Sequence, residues 1–70
     1  MTQTVPVTSS LLCRVAYSAP DTLDLTFNNG AVYRYFDVPR LVFEQLLAAE
    51  SKGAFFNRAI RNRFPYRRLA

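Results

Sequence analysis

From Leu11 the chain alternates between apolar and polar positions. Leu11, Cys13, Val15 and Tyr17 fall on one side and Arg14, Ala16 and Ser18 on the other, a period of two that predicts a strand. Ser18-Ala19-Pro20-Asp21 supplies a turn. Leu23, Leu25 and Phe27 then alternate with Thr22, Asp24 and Thr26 in a second strand, and Asn28-Asn29-Gly30 closes a hairpin onto a third, Ala31 to Asp37. Two registers are open. A two-residue loop pairs Leu25 with Arg34 and Phe27 with Val32. A three-residue loop with Gly30 in the left-handed region pairs Leu25 with Tyr33, Leu23 with Tyr35 and Asp24 with Arg34. The second keeps apolar side chains together and sets opposite charges across from each other, and it is the one we expect.

After Val38-Pro39 the period changes. Val42, Phe43, Leu46, Leu47 and Ala49 recur at helical spacing, with Pro39 acceptable in the first turn and Asp37 near the positive end of the helix dipole. Ser51 is a natural N-cap for a second helix, in which Phe55, Phe56, Ala59 and Ile60 share one face while Arg58 and Arg61 project from the other. Pro65 ends it, leaving a short tail from Tyr66. The polar opening through Ser10, interrupted by Pro6, is expected to fray. The pattern therefore predicts an α+β fold: a three-stranded antiparallel β-meander followed by two short helices packed on one face. Residues 1–9 are expected to form a flexible segment and residues 10–70 a single domain.

Composition narrows the chemistry. The 70 residues contain no His, no Trp and one Cys. Cys-His zinc sites and His-activated nucleophiles lack their ligands and bases, so neither a metal, a cofactor nor a catalytic role is expected. Cys13, on the apolar side of its strand, reads as a small core residue. A single thiol suits a reducing compartment, and no signal peptide or membrane span is evident, so a cytoplasmic monomer is expected.

Charge is distributed unevenly. Lys52, Arg58, Arg61, Arg63, Arg67 and Arg68 follow Glu50 without one acid among them, whereas the preceding residues carry more acids than bases. Phosphate is the counter-charge these cations suit, in RNA or another polyanion. Tyr33, Tyr35 and Tyr66 are candidate stacking platforms for bases, with burial under a helix as the alternative for the first two. Ser51, Lys52 and Gly53 form a candidate anion site at a helix start, with plain N-capping as the alternative for Ser51. A protein-interaction module, recognising an acidic or apolar partner through surface near Phe36, Phe64 and Tyr66, is the competing function.

Several of these residues also carry a family pattern. Asn29-Gly30, Val32-Tyr33-Arg34-Tyr35-Phe36, Val38-Pro39, Ser51-Lys52-Gly53, Phe55-Phe56-Asn57, Ile60-Arg61 and Phe64-Pro65-Tyr66 together resemble the KTSC domain over about Ser10 to Leu69. That family takes its name from the C-terminal end of some lysyl-tRNA synthetases, also occurs as small stand-alone bacterial proteins, and is marked by a Tyr-x-Tyr motif that here is Tyr33 and Tyr35. The resemblance implies a domain class, and through the synthetase association it implies RNA binding. Fold and family by themselves do not assign a function.

Overall fold

The register expected from Asp24 and Arg34 is present. Leu23 pairs with Tyr35, Asp24 with Arg34 and Leu25 with Tyr33. Gly30 at φ 91° completes the three-residue loop, where a side chain would be strained. Arg34 grips Asp24 with two parallel hydrogen bonds, Nε to Oδ1 at 2.8 Å and Nη2 to Oδ2 at 2.9 Å. The hydrogen bond and charge of Asp24 hold the Arg34 guanidinium more firmly protonated than usual.

The computed structural model describes residues 2–70. Five antiparallel strands lie in sequence order: β1 (Thr2–Pro6), β2 (Leu12–Ser18), β3 (Thr22–Phe27), β4 (Val32–Tyr35) and β5 (Tyr66–Arg68). The expectation of three strands is thus corrected to five. Of the segment expected to fray, Met1 lies outside the described residues, while Thr2–Pro6 pairs along β2 from Thr2–Ser18 to Pro6–Arg14. Its composition is polar because four of its five side chains are exposed at a sheet edge, so pairing rather than burial makes the strand. The tail after Pro65 is ordered in the same way, against β4.

Cys13 is a second correction. The register of β2 against β3 slips between Leu12 and Arg14, a β-bulge that adds one residue. The buried set is consequently Leu12, Val15 and Tyr17, and Cys13 is exposed. Beyond the bulge the alternation runs as the sequence predicts.

One face of the sheet is covered by α1 (Arg40–Ala48) and by α2 (Lys52–Phe55), which runs on into a π-helical turn, Phe56–Ile60. Phe43 and Leu46 bring α1 onto the sheet, each contributing about 1.5–3 kcal/mol by burial. Phe55, Phe56 and Ile60 complete the core with Leu12, Val15, Leu23, Leu25, Tyr35 and Val38. Tyr17 stacks on Phe43 with ring centroids 5.1 Å apart. Its hydroxyl lies 2.7 Å from the carbonyl oxygens of both Pro20 and Val38, so a buried phenol fastens the β2–β3 turn to the entry of α1. Pro39 is the residue flanking α1, and no side chain caps that helix. Asp37 instead occupies the left-handed region at φ 63°, turning the chain from β4 towards α1.

Candidate functional site

The second helix is where local chemistry departs furthest from the sequence pattern. Ser51 caps it as expected, its Oγ accepting a hydrogen bond from the Ala54 amide at 3.2 Å. After four α-helical residues the backbone widens, and the Arg61 amide reaches back five residues to the Phe56 carbonyl at 2.8 Å. Asn62 then takes φ 61°, a conformation asparagine tolerates better than most side chains. This turn carries Arg61 and Asn62 to the covered side of the sheet, against β4 and β5. Arg61 therefore does not project away from the aromatic face, as regular helical spacing predicts.

The result is a cleft of about 380 Å³ between the π turn and the β4–β5 edge. Phe56, Tyr35 and Ala31 are its buried residues, Tyr33 and Phe27 are half-buried, and Tyr66, Arg61, Arg68, Asn29 and Asn62 are its exposed ones. The register places the tyrosines together: Tyr35 pairs with Tyr66 and Tyr33 with Arg68, so these four share one face. Tyr66 lies 5.6 Å from Tyr33 and from Tyr35, and Phe56 meets Tyr35 edge-on at 6.0 Å. The Arg68 guanidinium sits 5.8 Å over the Tyr33 ring, while its Nε donates to the Ala70 oxygen at 2.8 Å.

Tyr35 is 4% exposed and Tyr66 is 57% exposed. The burial named as the alternative for Tyr33 and Tyr35 thus differs between the rings. Tyr35 is core, Tyr33 is half-buried, and Tyr66 offers its ring to solvent. Burial pushes the Tyr35 phenol up to about 12, with Tyr33 and Tyr66 adding to the shift and Arg61 opposing it. At neutral pH the Tyr35 hydroxyl is therefore a proton donor.

The other cations are dispersed. Arg67 pairs across from Arg34, which puts it on the opposite face of the sheet from the cleft. Arg58 lies 5.7 Å over Phe55 and lines a separate groove with Glu50 and Gln45. Arg63 is exposed in the turn after the π helix, and the Lys52 ammonium donates to the Ala49 carbonyl at 3.2 Å. Among the described residues, none of the six pairs with an Asp or Glu; the two such ion pairs present are Asp24–Arg34 and Arg40–Glu44. The continuous basic surface implied by the sequence resolves into two cations at the cleft and four elsewhere.

Ser51, Lys52 and Gly53 are accounted for locally. Ser51 caps and Lys52 bonds a carbonyl, while Gly53 packs on Leu11, where an added Cβ would come to 3.5 Å of the Leu11 Cβ. The sequence singled out Tyr33, Tyr35, Tyr66, Arg61 and Arg68 but passed over Phe27, Asn29, Phe56 and Asn62 as cleft residues. Pro65, which ends the second helix, was the one available signal for Asn62. Among the described residues no group of three His, Cys, Asp or Glu could hold a metal ion, and no helix is long and apolar enough to cross a membrane.

Known proteins share this architecture. The family model for the KTSC domain matches residues 8–64. A crystal structure of a KTSC domain protein from Yersinia pestis superposes with a TM-score of 0.90 at 30% identity, covering all of both chains. A small protein of Tsukamurella paurometabola is 47% identical over 60 residues, 84% of this chain and 90% of that one. A lysine–tRNA ligase of Trichormus variabilis is 43% identical over 53 residues, which are 76% of this chain but 9% of the ligase. The matched family segment ends just before Tyr66 and Arg68, so the outer wall of the cleft is built from residues beyond it. By the family match, the agreement in fold and the identity to these relatives, the chain belongs to the KTSC domain family.

Proposed function

We propose that this domain is a non-catalytic module that binds single-stranded RNA, with low sequence specificity, through the cleft between the π turn and β5. The observation that carries the reading is the convergence of Arg61 and Arg68, neither paired with an Asp or Glu, on a cleft walled by tyrosines. Guanidinium groups suit phosphate, and aromatic rings stack on any base. The occurrence of a homologous segment in a protein named lysine–tRNA ligase supports RNA over other polyanions. Arg58, Arg63, Arg67 and Lys52 then contribute to the long-range field that draws a strand in.

The competing protein-interaction reading has less support. Phe36 and Leu69 are exposed, but they sit at opposite ends of β4, bonded to Pro65 and Val32 respectively, and Tyr66 belongs to the cleft. Phe64 is partly buried against the core. The four are divided among the cleft, the edge of the core and the two ends of β4.

Titration of an unstructured RNA, followed by amide NMR at several salt concentrations, tests the proposal. Binding is expected to weaken steeply with salt. Arg61→Gln with Arg68→Gln should reduce the logarithmic salt slope by roughly 1.4, the release expected for two single-strand phosphate contacts. Arg58→Gln with Arg67→Gln should leave the cleft signals still responsive. Absence of any salt-dependent shift on adding RNA would overturn the reading. Capture of a protein partner that survives Gln at Arg61, Arg63, Arg67 and Arg68 together, without RNA binding, would favour the competing one.

A further inference from the structure

Among the tyrosine side chains, Tyr17 uses its hydroxyl to fasten the fold, whereas the Tyr35 hydroxyl has no hydrogen-bond partner among the described residues. No polar side-chain atom that is shut off from solvent lacks a partner among those residues. The Tyr35 hydroxyl is therefore not shut off from solvent, although the residue as a whole is 4% exposed, and Tyr35 lines the cleft. A donor on a residue that lines an aromatic cleft, with nothing of the protein to donate to among the described residues, is a feature the core does not require.

We infer that the cleft is a single-nucleotide pocket, taking one unstacked nucleotide of an unpaired strand, with its base against Tyr66, its polar edge at the Tyr35 hydroxyl and its phosphate between Arg61 and Arg68. This rests on the RNA-binding reading and adds the unit recognised. The volume of about 380 Å³ is at the small end of ligand pockets, which run from about 300 to 1,000 Å³, and holds one nucleotide rather than a paired helix. Single-stranded RNA is read in this manner, by bases splayed out onto aromatic rings and bonded along their edges. The exposed Tyr66 ring supplies the platform, and Phe56 and Tyr33 back the rest of the wall. Tyr35 keeps its proton at any physiological pH, so its hydroxyl can donate to a base carbonyl, a ring nitrogen or a ribose oxygen.

The full chain is titrated with adenosine 5′-monophosphate, inorganic phosphate, a short unstructured RNA and the same RNA as a duplex. Ring signals of Tyr33, Tyr35 and Tyr66 are read by NMR. The nucleotide and the single strand are expected to shift these signals, phosphate alone to leave the rings unmoved, and the duplex to bind more weakly than the strand. Tyr66→Ala should weaken the strand about ten-fold, the loss of one stacked base. Tyr35→Phe, which keeps the ring and its packing, should weaken it about five-fold, the loss of one hydrogen bond. Strand binding with the rings unmoved, or equal binding of wild type and both variants, overturns the pocket while RNA binding stands. No binding of either RNA overturns both, whatever the free nucleotide does.

Discussion

Tyr35 belongs to the core by its ring and to the cleft by its hydroxyl, and this division has a pH signature. Its phenol is raised to about 12 by burial, against about 10 for a free tyrosine. The folded state thus holds the proton more tightly than the unfolded state. That contribution to stability is complete below pH about 10 and is lost as pH rises through about 12. Urea midpoints measured across this alkaline range should fall for the wild type and fall less for Tyr35→Phe. At this scale much was legible in the sequence. Asp24 and Arg34 fixed the hairpin register because opposite charges and apolar pairs agree on only one of two loops. Cys13 was misread because one extra residue in a bulge puts Leu12 on the core face and Cys13 off it, and alternation alone does not reveal an insertion.

Elements were legible where a side chain does local work. Ser51 was recognisable as a cap, and α2 has only four residues before the backbone widens, so the cap supplies a large share of its local order. Ser51→Ala is expected to cost about 1 kcal/mol, read as a lower urea midpoint with unchanged slope. The π turn was not legible. Phe56 and Ile60 are buried whether that turn is α or π, and five residues are too few for a period to tell the two apart. Only the position of Arg61, on the cleft instead of opposite it, reports the difference. β1 and β5 were hidden for another reason. Thr2–Pro6 and Tyr66–Arg68 bury almost nothing, and what makes them strands is the free edge of a neighbour.

Across the whole molecule, β1 to β4 follow one another by short turns, whereas β5 returns to β4 only after both helices and the π turn. Its three residues are all exposed, and it is held chiefly by backbone bonds such as Leu69 to Val32 at 2.7 Å and Phe36 to Pro65 at 2.9 Å. A long connection that ends in a short exposed strand is the part of a domain that opens first. The amides of Leu69 and Phe36 should therefore exchange with deuterium faster than those at the centres of β2 and β3, and RNA should slow them. Tyr66 and Arg68, the outer wall of the cleft, ride on this last strand. Ordering that wall is then a cost charged to whatever enters, and a change that merely fastens β5, touching no ligand atom, should tighten binding through preorganisation.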